Sequence, residues 1–441
     1  MSFFNHVFVS WNRTNKFTLR FFFIFILLLY IPLDYKFYVD LLKGSAGEKG
    51  FYALFKIASY PPNSYGHNIY LNGALFVAVA VLGSFLWDKI CRKQPQDFDK
   101  LYYWLRVIVR YRLALAAIAY GLIKVFPLQM PYPSLSNLHT NYGDFLPWKI
   151  YFHTTAIAPP FEAFLGSVEL IAGLLLLYRK TVVFGAGILA GYYGNVFASN
   201  TAYQMGYTVF SLQLAFFAVA LFIYDGPRLY RLLVTQKYTV ANTYHPRFGK
   251  REKLFRTIVR PIILVFVLTL SYATYHNFNT APYKYPKTAG LKGSYGYFNV
   301  KVFKFNNVEL PYSTTDLNRW QNVVFEKWAT LSIKTAKPIV IDEGFGDQFT
   351  DLDADRNFES AGVGGRRYFA YQADTLSTTI QLVNKNPHHK TEHFDLSYQW
   401  LNDSTIVLSG INEHRDSIYA ELNRINKKYL LFEGRRKPIK L

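Results

Sequence analysis

Cysteine is almost missing from this chain: Cys91 is the only one among 441 residues. A single thiol excludes an internal disulfide, a C-x-x-C dithiol and a C-x-x-C-H haem attachment. Histidine is scarce where a bound haem would need it, since none of the ten lies inside an apolar block, and that excludes a bis-His haem between helices. No G-x-G-x-x-G follows a strand in a βαβ unit, and "AGVGGRR" reads as a turn between strands. Internal repeats and long low-complexity segments are absent as well, so solenoid architectures and extended disorder are set aside.

Hydrophobic residues make up 51% of the chain and aromatics 18%, gathered in blocks. Blocks of that length are membrane-span candidates. Seven can be drawn: Phe17 to Leu33, Ile69 to Trp87, Val107 to Phe126, Phe161 to Tyr178, Val182 to Phe197, Val209 to Tyr224 and Ile258 to Tyr275. The first follows a short charged stretch, but "YIPLDYKFY" offers no small-residue cleavage site, so it reads as a retained span.

The net charge of +20 is a topology signal rather than a nucleic-acid one. Alternate loops hold nineteen Lys and Arg on one side and five on the other before residue 276. By the positive-inside rule the N-terminus is cytoplasmic, and seven spans leave the C-terminus outside. Residues 280 to 441 carry 22 basic and 18 acidic groups, so most of the excess lies in the membrane part, where the lipid bilayer is its natural partner.

Four regions follow: residues 1–100, two spans joined by an interfacial helix in "GFYALFKIASYPP"; 101–235, a helical bundle; 236–278, a basic linker and a seventh span; and 279–441, rich in strands. Between spans three and four lies a long aromatic outer loop, Pro127 to Pro160, of a length usually functional and with the composition to pack on the membrane surface. In the last region "YGYFNVKVFKFNNVEL" and "FDLSYQWLNDSTIVLSGI" read as hairpins turning at Asn306-Asn307 and Asn402-Asp403. Further strands are expected in "VVFEKWATLSIKT", "KPIVID", "RRYFAYQA", "LSTTIQLV", "SIYAELNRI" and "YLLFEG". The fold class is therefore a membrane α-helical bundle plus a C-terminal all-β domain, a small barrel or sandwich. The barrel is preferred because closure removes edges.

The residue that asks for an explanation is Glu169 in "GSVELIAGLLLLYRKT". A carboxylate at mid-membrane costs roughly 2.5 to 3.5 kcal/mol on insertion scales unless the protein meets it. Gly166, Glu169 and Gly173 share a stripe of span four; Arg110, Ala114, Ala117, Gly121 and Lys124 share one of span three; Gly187, Gly191, Gly194 and Asn195 share one of span five. Small residues let helices approach closely. Lys124 and Arg110 are then the partners for Glu169, in an ion pair that fixes helix register or in a proton-exchanging site.

Arg110, Gly121 and Lys124 in "RYRLALAAIAYGLIK", followed by Glu169, Gly173, Arg179 and Thr181 in "ELIAGLLLLYRKT", resemble the two signature regions of the DoxX family of small bacterial membrane proteins. The resemblance covers residues 100 to 235. "RKT" stands where the family more often shows "TR", and Ala114 where a Gly is usual. It implies a four-helix core in a bacterial inner membrane and a subunit of a redox or quinone-linked system, beside a partner membrane or periplasmic redox subunit. Glu169, Lys124 and Arg110 are then the candidate catalytic residues. A quinone, the one cofactor this admits, needs an apolar slot with hydrogen-bonding groups. Asn195, Gln129, Tyr203 and His153 are the candidates for it, with Asn200 nearby. The alternative is a non-catalytic scaffold whose outside domain binds a protein or lipid.

No metal is expected. "DLDADRNFESAG" has Asp351, Asp353 and Asp355 at calcium-loop spacing, but Arg356 and Gly362 replace the turn Gly and the bidentate Glu. His389 and His393 in "HHKTEH" have helical zinc spacing in a segment that reads as loop and strand. Trp320, Trp328 and Trp400 read as core.

Overall fold

Leu113, Ala114 and the run from Ala116 to Ala119 have no exposed surface, so their helix is buried on every side. In a computed structural model the described residues are 11–32, 37–39, 48–60, 69–91, 97–240, 244, 246–280, 282–346, 350 and 352–433. They form two compact units, one of residues 1–127 and 160–280, the other of 128–159 and 281–441.

The first unit is helical: α1 Arg13–Tyr30, α2 Glu48–Ser59, α3 Ile69–Ile90, α4 Phe98–Val125, α5 Pro159–Leu177, α6 Val182–Ala202, α7 Thr208–Leu233 and α8 Lys250–Thr280. Five of these, α3 and α5 to α8, are long and apolar enough to cross a membrane. The other two expected spans, α1 and α4, fall short of that measure: the 18 residues of α1 include Arg13, Lys16 and Arg20 in its first half, and the apolar stretch of α4 carries Arg110, Arg112 and Lys124. For α4 the packing supplies the reason. One face, with Leu113, Ala114 and Ala117, packs on residues of α1, α5, α6 and α7. The other, with Ile118, Ala119 and Leu122, meets Ala58 of α2 and Val267 and Leu270 of α8. A helix shielded by its neighbours need not be apolar all round. The last helix runs on past the expected Tyr275, so His276 lies within α8.

The second unit is built on antiparallel strands: β1 Gly296–Phe305, β2 Val308–Glu309, β3 Asn322–Phe325, β4 Thr330–Lys334, β5 Arg367–Asp374, β6 Thr379–Asn384, β7 His393–Asn402, β8 Thr405–Asn412 and β9 Ser417–Ile425. Because β1 pairs with β3 along one edge and β9 along the other, eight strands close into a barrel, with β2 as a hairpin extension. Asn306 and Asn307 both take positive φ, as the tight turn before β2 requires. A register shift between Val300 and Val302 lets Phe298, Val300 and Phe303 all be buried. Phe325, Leu331, Phe369, Leu382, Leu408 and Leu422 join them, so the barrel is filled by side chains. Trp320 lies in this core, and Trp400 packs partly buried against it.

Burial patterns show which wall is covered. Strand β6 alternates exposed and buried residues, whereas Thr330 to Ile333 of β4 are buried on both faces. The cover is the segment 128–159, which belongs to the barrel unit and not to the helical region in which the sequence reading placed it. Ser136 Oγ lies 2.8 Å from Ser332 Oγ, and Asn137 Nδ2 donates to the Tyr368 hydroxyl at 3.0 Å.

Two expected strands do not form. "KPIVID" runs as irregular chain, and "YLLFEG" contains a short helix, Leu430–Glu433. "VVFEKWATLSIKT" divides into β3 and β4 around Glu326. "HHKTEH" makes a 3-10 turn at Pro387–His389 before β7 begins, so His389 and His393 are not a helical pair. Asp351 of the acidic loop lies outside the described residues.

Gly410 in β8 sits so close to β7 that a Cβ would overlap the Asp395 carbonyl oxygen. Gly410→Ala is expected to destabilise the barrel by about 3 kcal/mol, the upper range for overpacking. Chemical unfolding followed by near-UV circular dichroism checks it.

Candidate functional site

In the helical unit the site begins with two glycines. A Cβ on Gly166 would come within 2.5 Å of the Val125 nitrogen, and one on Gly121 within 2.7 Å of the Leu170 nitrogen. The backbones of α4 and α5 therefore touch, and side chains beside the contact meet directly. Lys124 Nζ lies 2.5 Å from Glu169 Oε2, and the Tyr193 hydroxyl of α6 donates to Glu169 Oε1 at 2.7 Å. The Tyr120 and Tyr192 rings stand 5.6 and 5.7 Å from the ammonium. Glu169 has no exposed surface, and each of its oxygens has a donor.

Arg110 does not join this pair. It lies fourteen residues before Lys124, about 21 Å along the helix at 1.5 Å per residue. Its guanidinium stands 4.7 Å from the Tyr111 ring, and among the described residues it forms no ion pair. Asn195 is exposed, because it follows Tyr193 by two residues and so points about 200° around α6. The face of α6 that packs inward carries Gly185, Ala186, Leu189 and Tyr193, with Gly185 against Ala172 of α5; Gly191 and Gly194 face open space. Tyr203 is 39% exposed at the end of α6. Asn200 ties α6 to α7 through a 3.0 Å bond to Ser211 Oγ.

Gln129 and His153 belong to the other unit, so the four residues expected around one cofactor are divided between two bodies. The Gln129 carbonyl accepts from Lys284 Nζ at 2.6 Å. His153 packs edge-on against Phe145, and burial, aided by nearby Lys149, lowers its pKa to about 3, so the ring is neutral.

Comparison with protein-family models, with curated proteins and with solved structures gave no match. The likeness of residues 100 to 235 to the DoxX family therefore rests on the quoted residues alone.

Several polar residues were not singled out from the sequence. Arg112 donates to the carbonyl oxygens of Ala58, at 2.6 Å, and of Tyr60, closing the C-terminal end of α2. In the barrel unit Glu326 accepts from the Ser136 nitrogen and hydroxyl at 2.7 and 2.6 Å. Glu359 accepts from Trp328 Nε1 and pairs with Lys385 at 3.2 Å. Burial, with Glu359 close by, lifts the Glu326 carboxyl from 4.5 to about 7. Arg366, fully buried, donates to Asn322 Oδ1 at 2.5 Å and to Ser332. Among the described residues no group of three His, Cys, Asp or Glu side chains could hold a metal.

Removing one partner of a buried pair leaves a charge unmet and costs about 3–5 kcal/mol, whereas replacing both by apolar groups is often neutral. Glu169→Gln should therefore lower the thermal midpoint in detergent strongly, and Lys124→Met/Glu169→Leu should recover most of the loss.

The raised Glu326 carboxyl has the opposite sign to an ordinary paired acid. The folded unit holds a proton that the unfolded chain releases, so this group's contribution falls as pH rises from 4.5 to about 7. The stability advantage of the native chain over Glu326→Gln should shrink across that window in unfolding titrations, then level off.

Proposed function

We propose that the chain is an integral membrane protein whose helical unit anchors a β-barrel unit that binds a protein or lipid partner outside the cytoplasmic face. The observation that carries this reading is the closed state of Glu169: Lys124 and Tyr193 take both oxygens, which suits an assembly role better than proton exchange. The imbalance of nineteen basic residues against five supports seven spans, α1 and α4 included, with the N-terminus cytoplasmic and the barrel outside. A filled barrel has no lumen to offer a ligand, so recognition falls to its outer surface and loops.

The quinone-linked reading inherited from the DoxX resemblance makes a different demand. It needs Glu169 to part from Lys124 and take up a proton during turnover. Comparing the native chain with Lys124→Met/Glu169→Leu separates the two, because the double variant removes the charges while keeping apolar volume. Proteins and lipids that copurify in mild detergent should be the same for both. A quinone bound to the native chain and lost from the folded double variant would overturn the anchoring role and restore the redox one.

A further inference from the structure

The barrel unit holds a small recess lined by Asn137, Trp148, Lys149, His153, Lys284 and aromatic rings, among them Phe358. Lys149 is 4% exposed, yet among the described residues its ammonium forms no ion pair; its one hydrogen bond runs to the Phe358 carbonyl oxygen. Two further polar atoms of this wall have no hydrogen-bond partner although buried: the Trp148 indole N–H, a donor, and Asn137 Oδ1, an acceptor. Lys284, which donates to the Gln129 carbonyl, brings a second cation to the same space. A buried amine beside another cation is the environment that favours its neutral, nucleophilic form. Here burial first, and then Lys284, lower the Lys149 pKa to about 7 against the weaker opposing pull of Glu359 and Asp342; His153 facing it is neutral.

We propose that Lys149 is a carbon dioxide site, at which the side-chain amine forms a carbamate. The nitrogen lone pair forms a bond to carbon, one C=O π bond opens to give the carboxylate, and the proton displaced from nitrogen passes to solvent. Nothing is oxidised or reduced. The product fits the lining group by group. Its anionic oxygens suit Lys284 and the Trp148 N–H, and its own N–H suits the vacant Asn137 acceptor or the Phe358 carbonyl. Charge reversal at Lys149 also turns a like-charge neighbour into an ion pair. Carbon dioxide is favoured over larger electrophiles because the recess is small and partly walled by aromatic rings. This goes beyond the anchoring role and does not rest on it.

The test uses the full chain in detergent with 13C-labelled bicarbonate. Carbamate is read by 13C NMR, and its position by alkyl trapping with triethyloxonium followed by peptide mass mapping. Label is expected on the peptide bearing Lys149, lost in Lys149→Arg and reduced severalfold in Lys284→Met. Its occupancy should rise around pH 7, where an ordinary lysine with pKa 10.5 would stay protonated. Because Lys149→Arg could disturb folding, circular dichroism accompanies it, and the pH profile of the native chain stands as an independent readout. Label confined to other amines, or an occupancy that rises only near pH 10 as for ordinary lysines, overturns the proposal.

Discussion

The contact on which the helical unit depends is the meeting of two backbones at Gly121 and Gly166. In a low-dielectric interior the attraction between opposite charges rises as their distance falls, while the cost of taking each from water does not change with their separation. A carboxylate and an ammonium at 2.5 Å sit at the favourable end of that balance. One methyl group at either glycine would move the helices apart and weaken the attraction with the desolvation cost unrelieved. The glycines thus make the charges tolerable, and the charges in turn select a single register for the glycines. A buried pair of this kind contributes specificity more readily than net stability.

The same logic extends along α4. Its polar groups each meet a different solution: Lys124 a carboxylate, Arg112 the free carbonyls at the end of α2, and Lys100 an ion pair with Glu252 of α8 at 2.6 Å. Each of these three contacts reaches another helix, so Arg112 and Lys124, two of the charges that spoil α4 as an apolar span, also hold its neighbours in place, while Arg110 stands on Tyr111 of α4 itself. Being central is what allows this, since a lipid-facing helix would have no partner to offer.

What the sequence made legible follows from which interactions are local. Helix blocks, the Asn306-Asn307 turn and the i, i+3 stripes depend on neighbouring residues, and from them the pairing of Lys124 with Glu169 could be read. Arg110 was misread because a stripe specifies a face and not a height on the helix. Asn195 was misread because the run of glycines suggested one packing face, whereas of that run only Gly187 meets a neighbour, Phe222 of α7, and α6 buries Gly185, Leu189 and Tyr193 instead. "KPIVID" has strand composition, but the barrel closes without it. The polar layer over β4 and β5 was beyond reach altogether: Ser136, Glu326, Glu359, Arg366 and Lys385 come from distant parts of the chain, and each looks like an ordinary surface residue in its own segment.

Charge matching in that layer gives Lys149 its meaning. Arg366 has Asn322 and Ser332, Arg356 has the carbonyls of Tyr283 and Tyr285, Lys385 has Glu359, and Arg367 has Glu392. Each of these cations meets at least one side-chain carboxylate or amide oxygen, or two backbone carbonyls, brought to it by the fold, which is the ordinary way to bury a charge. Lys149 is equally buried and has one carbonyl. An amine so placed either lowers its charge by releasing a proton or acquires a group that changes its sign. The unpartnered indole N–H and amide oxygen beside it are suited to the second outcome, since a carbamate brings two further acceptor oxygens for the one and keeps an N–H for the other.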